Sequence, residues 1–236
     1  AQVQKSLRGR LVCSNSDVDL IVSQLEPGEC IGRGAYGVVT RMKDKSTGQS
    51  VVVKRIPIRK GWTIEELKLE AELLQSLDHP HILRIFGWHA TDISEDGKAG
   101  KEQVVQIIME DCSGGDLLSV IKKARRHREW IQEGWVATAF SQAFEALAYI
   151  HGRGIVHKDL KSANLLLLES TQVDDTVFAK APHIIVCDLG LAEVCPQWSK
   201  WLPFGGRSRC TELAGTPSMM SPEVWKNDAG PKCDIW

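Results

Sequence analysis

Apolar positions along the chain follow two periods, and the period changes near residue 60. Over residues 25 to about 53, short β-branched runs (Val38-Val39-Thr40, Val51-Val52-Val53) alternate with Gly, Pro and Ser/Thr-Gly punctuation, which predicts antiparallel strands. Thr63-Ile-Glu-Glu66 then has the spacing of a capping box, and Ile64, Leu67, Ala71, Leu74 and Leu77 follow at steps of three or four. This predicts an amphipathic helix that ends before His79-Pro80. Residues 82–88 and 104–109 read as strands around a polar, exposed hairpin loop over 91–102. From Asp116 onward helices dominate, and over 135–151 Val136, Phe140, Ala143, Phe144, Leu147 and Ile150 share one face, with Gly152 as the C-cap. Two apolar runs, 165–168 and 183–187, bracket a loop. The plan is a strand-rich first half and a helix-rich second half, with a boundary near 112–115.

Composition narrows the class. Of 236 residues, 43% are hydrophobic and 25% charged, which excludes a disordered or collagenous chain. No run approaches the roughly 18 apolar residues of a membrane-spanning helix, so no membrane segment is expected. A net charge of −1 argues against nucleic acid as a dominant partner. A chain of this length buries roughly 70% of its extended surface without staples. Seven cysteines, an odd number with no CxxC pair, fit reduced thiols and a cytoplasmic or nuclear compartment. Residues 1–24 read as a leader of unknown structure. No signal-peptide pattern follows Ala1, and both ends read as cut.

Three features carry chemistry. Ile31-Gly-Arg-Gly-Ala-Tyr-Gly-Val-Val39 contains GxGxxG, whose glycines let backbone approach phosphate oxygens that a Cβ would hold off. The third glycine runs on into a strand rather than a helix, which disfavours a dinucleotide fold. Lys54 ends an apolar strand and reads equally as an edge lysine snorkelling to water or as a functional cation. Glu70 lies on the apolar stripe of the predicted helix, three after Leu67 and four before Leu74. A carboxylate there needs a partner, and Lys54 is the available cation. The densest cluster is Ile155-Val-His-Lys-Asp-Leu-Lys-Ser-Ala-Asn164, followed by Asp188-Leu-Gly190.

These segments, with Gly32, Gly34 and Gly37, Lys54, Glu70, Thr216-Pro-Ser-Met-Met-Ser-Pro-Glu223 and Asp234, resemble eukaryotic protein kinases of the serine/threonine type in content and order. The resemblance implies an α+β, bilobal protein kinase-like fold. A β-rich N-lobe with one αC helix would span about 25–111, a hinge about 110–115, and a mainly helical C-lobe 116–236, incomplete at its C-terminus. It implies ATP and Mg²⁺ as cofactors and a protein substrate with a Ser/Thr acceptor. Lys54 would hold the α- and β-phosphates and Glu70 would hold Lys54. Asn164 and Asp188 would take Mg²⁺, their oxygens suiting a hard cation. Asp159 would orient the substrate hydroxyl and accept its proton, while Lys161 neutralises the transferring group. Lys161, together with Thr216 in the Gly-Thr-Pro turn, marks the serine/threonine type. Ile31, Val39, Val52 and Leu166 would surround adenine, with Met109 as gatekeeper, Glu110 and Cys112 in the hinge, and Asp116 near the ribose or a basic substrate side chain. Leu74, Ile85, His157 and Leu189 would form the regulatory spine, which makes His157 a packed histidine. Cys187 reads as buried and inert, the basic run 122–128 as a solvated helix face, and Leu191 as a hint of serine preference.

Departures from the pattern are Val52 for the usual Ala, Lys158 for the usual Arg before the catalytic Asp, and Ala163 where basic-directed kinases often carry an acid. Lys158 cannot reproduce the bidentate grip of Arg on a phosphorylated loop, and Glu212 is expected to pair with it instead. A pseudokinase or scaffold is the alternative function. A small-molecule phosphotransferase is disfavoured by the 215–223 segment. Subfamily, substrate and upstream activator are not legible, and no EF-hand loop is present.

Overall fold

A computed structural model describes residues 21–34, 37–58, 63–94, 101–169, 181–189, 192–194 and 214–236. The expectations for residues 1–20, the Glu70 side chain, Gly190, Leu191 and Glu212 lie outside the described residues. The chain divides into two compact units, Ala1–Asp78 with Leu83–Asp111, and His79–Ile82 with Cys112–Trp236.

The first unit is a curled antiparallel sheet of β1 (Leu25–Glu26), β2 (Cys30–Gly34), β3 (Gly37–Asp44), β4 (Ser50–Pro57), β5 (Ile85–Ser94) and β6 (Lys101–Glu110). Its strand order is β1-β3-β4-β6-β5, with β2 on β3. Strand alternation sends Val51, Val53, Met42 and Ile108 into one apolar cluster, closed by Ile21 and Leu25. The opposite face presents Val52, Ile56, Val105, Ile107 and Met109, and helix α1 (Ile64–Gln75) covers it with Leu67 and Ala71. The predicted helix is therefore present, and its 3.6-residue stripe is what meets the sheet. Two boundaries differ from the sequence reading. Residues 91–94 and 101–102 are strand rather than loop, because β5 and β6 pair in continuous register from Gly87↔Ile108 to Ser94↔Lys101. Backbone pairing asks nothing of side-chain polarity, so a polar hairpin arm escapes hydrophobic periodicity. Conversely Ile82 is only an isolated bridge to Val186, and β5 begins at Ile85.

The second unit holds α2 (Leu117–His127) and α3 (Glu133–His151), then short strands β7 (Ile155–Val156), β8 (Leu165–Leu167), β9 (Ile184–Val186) and β10 (Glu193–Val194). β8 pairs with β9 and β10 with β7, all antiparallel. A four-residue helix, α4 (Pro222–Trp225), precedes a 3₁₀ turn at Pro231–Ile235. Helix α3 buries Trp135, Ala139, Ala143, Ala146, Leu147 and Ile150. The expected apolar face is corrected in part: Phe140 and Phe144 are 52% and 46% exposed and pack on each other, ring centroids 5.9 Å apart. The alanine stripe is the buried one. From the same helix Gln142 clamps the start of β9, donating to the Pro182 carbonyl at 2.9 Å and accepting from Ile184 N at 2.7 Å. Gly152 caps α3 in right-handed geometry, and the left-handed residue is Gly154 at φ 74°.

Candidate active site

In the second unit a buried carboxylate organises the loop that carries the candidate chemistry. The Asp234 side chain is 0% exposed, and its Oδ1 accepts Lys158 N–H at 2.8 Å while Oδ2 accepts His157 N–H at 2.9 Å. His151 Nε2 reaches the same Oδ2 at 2.7 Å. These bonds hold Lys158 at φ 66°, a left-handed conformation that costs a non-glycine residue roughly 1–2 kcal/mol. His157 is fully buried, donating through Nε2 to the Cys187 carbonyl at 3.0 Å and accepting at Nδ1 from Asp159 N–H at 3.2 Å. Both ring nitrogens are engaged by backbone, as expected of a packed histidine. His151 was not singled out from sequence; its signal is only its place at the end of a helix.

Asp159 sits at the centre of a closed set of donors. Oδ1 accepts from Thr216 N–H at 2.8 Å and from the Thr216 hydroxyl at 2.6 Å. Oδ2 accepts from Lys161 Nζ at 2.6 Å and from Asn164 Nδ2 at 3.3 Å. Lys161 Nζ also donates to Thr216 Oγ1 at 2.7 Å, and Asn164 Nδ2 to the Asp159 carbonyl at 2.9 Å. Burial opposes the charge on Asp159, but the bonds from Lys161 and Thr216 outweigh it and hold the carboxyl below its ordinary value. Gly215 makes this approach possible. At φ 124°, a Cβ there would lie 2.6 Å from the Lys158 carbonyl oxygen. The structure thus brings Asp159, Lys161, Asn164 and Thr216 together. Asp188 is exposed at φ 61°, and Cys187 before it is half-buried rather than buried. Asp116 caps α2, its two oxygens accepting from Ser119 N–H at 2.8 Å and Ser119 hydroxyl at 2.6 Å, and a bridge sets Asp116 opposite Leu166. Cys112 is buried.

In the first unit Val39, Val52 and Met109 belong to one cluster, with Leu74 and Ile85 alongside. Lys54 follows Val52 on that face, half-buried, opposite Val39 in β3 and Ile107 in β6. Glu110 turns its carboxylate inward, Oε1 accepting Arg84 N–H at 2.8 Å. The glycines of β2 and β3 differ in kind. At Gly37, φ 135°, a Cβ would lie 1.9 Å from the Arg55 carbonyl oxygen, so folding demands glycine there. At Gly32 a Cβ would meet nothing nearer than Val39 at 3.8 Å. Packing does not ask for glycine at 32, which fits a backbone cradle for phosphate; Ile31 beside it is exposed.

The donor set suits Mg²⁺. Among the described residues no three His, Cys, Asp or Glu side chains form a metal cluster. Magnesium characteristically takes one or two protein oxygens, of the kind Asn164 and Asp188 offer, and completes its shell with phosphates and water.

The protein kinase domain model matches residues 25–236. The chain is 31% identical over 206 residues to calcium-dependent protein kinase 5 of Plasmodium berghei, covering 87% of this chain and 31% of that protein. It is 31% identical over 226 residues to serine/threonine-protein kinase PAK mbt of Drosophila melanogaster (93% and 30%), and 30% over 209 residues to serine/threonine-protein kinase Nek4 of Mus musculus (87% and 23%). The chain therefore spans less than a third of the length of these relatives. With the family match covering nearly all of it, the chain belongs to the protein kinase domain family, among relatives of the serine/threonine type.

Proposed function

We propose that this domain transfers the γ-phosphate of Mg-ATP to serine or threonine hydroxyls of a protein substrate. The observation that carries the reading is the Asp159 constellation, in which a carboxylate is kept ionised by Lys161 and Thr216 and held in register by Asn164. An ionised carboxylate is what a base for a hydroxyl proton must be. Both oxygens carry two donors each, so a substrate hydroxyl reaches Oδ1 by displacing the Thr216 hydroxyl, while Lys161 stays on Oδ2.

Asn164 and Asp188 hold Mg²⁺ in this reading, Lys54 the α- and β-phosphates, and Gly32, Gly34 and Gly37 the backbone cradle. Val39, Val52, Met109 and Leu166 provide the apolar surround of adenine, and Glu70 steadies Lys54. Bound Mg-ATP supplies the phosphoryl group and neutralises its charge as transfer proceeds. Lys161 two residues after Asp159, its bond to Thr216, and the serine/threonine kinases among the relatives support serine or threonine as the acceptor.

The test is incubation with labelled Mg-ATP and a generic protein substrate, followed by phosphoamino-acid analysis. Phosphoserine or phosphothreonine is expected, lost in Asp188→Asn. Absence of transfer by the folded parent, or phosphotyrosine alone, overturns the reading.

A further inference from the structure

Two carboxylates in sequence hold the end of β6, each through a different partner. Glu110, the last residue of the strand, is fixed to Arg84: its N–H donates to the Arg84 carbonyl at 3.0 Å, and its Oε1 accepts Arg84 N–H at 2.8 Å. Asp111, the next residue and the last of the first unit, is held by β3, where its Oδ2 accepts from Arg41 Nε at 2.9 Å. The Asp111 side chain is 8% exposed, and its Oδ1 is buried with no hydrogen-bond partner. A carboxylate withdrawn from water is ordinarily held by several donors. Among the described residues, one bond from one guanidinium is all that compensates this one.

Arg41 also anchors the start of the strand that carries the GxG pattern. Its N–H donates to the Glu29 carbonyl at 2.8 Å, and its Nη1 lies 3.8 Å from the Glu29 carboxylate, one residue before β2. Gly28 packs so closely that a Cβ there would lie 1.9 Å from the Arg41 carbonyl oxygen. Register places Arg41 opposite Val52, and Val52 opposite Met109. Strand alternation puts Arg41 on the same face as Val39, so its ion pair borders the apolar residues assigned to adenine.

The two attachments differ in kind. Any residue but proline at position 41 can make the main-chain bond to Glu29, and the 3.8 Å approach to that exposed carboxylate adds little. The bond to Asp111 belongs to arginine: Nε is part of a rigid planar fork, whereas a lysine would bring a single ammonium on a flexible stem. Without the guanidinium, Asp111 would keep a buried charge with neither oxygen bonded. Its carboxylate would have to turn out to water and carry the backbone at 110–111 with it. We propose that Arg41 is a positioning residue for the nucleotide, which neutralises the buried Asp111 carboxylate and so keeps the 110–111 backbone in the shape that accepts adenine. This rests on the proposed function, in which Val39, Val52 and Met109 of the same face surround the base.

Titration calorimetry with Mg-ADP separates positioning from folding. Arg41→Met keeps most of the stem and loses the charge. Its Kd should rise about tenfold with the number of sites per chain unchanged, because part of the binding energy is spent on returning the displaced backbone. A merely structural loss would do the reverse, lowering the number of competent sites and leaving Kd alone. Arg41→Lys restores the charge without the fork and should recover part of the affinity. Asp111→Asn removes the buried charge, and in that background Arg41→Met should change Kd by less than about twofold. With activity as a second readout, KM for ATP should follow Kd while kcat at saturating ATP stays within about threefold of the parent. A Kd for Arg41→Met within about twofold of the parent overturns the proposal. So does a reduced number of sites at unchanged Kd, or a double variant that shows the product of the two single effects. A parent that binds no Mg-ADP strikes the proposed function and this role together, whereas a parent that binds it beside an insensitive Arg41→Met strikes this role alone.

Discussion

The two units place the residues of the proposed site by different physics. In the first, Val39, Val52, Lys54 and Met109 are set by strand register alone: Val39 opposes Lys54, Val52 opposes Met109, and the two-residue period does the rest. In the second, Asp159 meets Thr216 across 57 positions and Lys158 meets Asp234 across 76, with no regular element joining them. A ladder of backbone bonds fixes the first arrangement, and a network of buried charges fixes the second. Register tolerates exchange of one side chain for another, whereas a buried carboxylate that takes two backbone amides, a histidine and the Cys233 thiol tolerates no loss of the carboxylate.

That contrast can be broken at its strongest point. Asp234→Ala leaves two backbone amides and His151 facing a void in the second unit, and should cost about 3–5 kcal/mol in urea unfolding, in the range of a broken buried charge pair. Isosteric Asp234→Asn keeps an acceptor and should cost less. Next come the glycines. Gly37→Ala forces a Cβ into the Arg55 carbonyl and Gly215→Ala forces one toward that of Lys158, and each should lower stability by about 2–3 kcal/mol through steric overlap at positive φ. Gly32→Ala, whose Cβ would make only ordinary contact with Val39, should leave the melting temperature unchanged and raise the KM for ATP. A melt lowered equally by all three would show that Gly32 is structural.

The smallest effect sharpens the electrostatics. Thr216→Ala removes the hydroxyl donor from Asp159, worth about 1 kcal/mol of stability, whereas Thr216→Ser should keep it. The sign is fixed by the lowered value of Asp159. Its contribution to stability is full above the unfolded carboxyl value of 3.8 and is lost as pH falls through the lower folded one. Thr216→Ala raises the folded value, so acid unfolding should begin at higher pH, and unchanged acid unfolding would contradict the role given to this bond.

How much of this was legible in the sequence follows the same division. The strands around Val38 and Val51 and the helix carrying Leu67 and Ala71 were readable, because alternation and a 3.6-residue stripe are the direct imprint of one buried face. The polar arms at 91–94 and 101–102 were not, since their pairing is through backbone. Helical spacing puts Phe140 and Phe144 on the same face as Ala143, Leu147 and Ile150, but the buried stripe runs through Ala139, Ala143 and Ala146, whose small side chains let α3 lie close to β9. In the site, Asp159, Lys161, Asn164 and Asp188 were recognisable by motif. The bonds from Asp234 to the 157–158 backbone, the part played by His151 and the need for glycine at 215 depend on distances between remote segments that no local pattern encodes.

The most direct test of the account is single-turnover phosphate transfer from Mg-ATP to a serine peptide by the parent chain and by Asp159→Asn, with circular dichroism confirming that both are folded. Asn cannot take up the hydroxyl proton, so the rate should fall by about 10²–10⁴-fold while the melting temperature moves little. Transfer by Asp159→Asn within a few-fold of the parent would contradict the claim that the carboxylate held by Lys161 and Thr216 is the base.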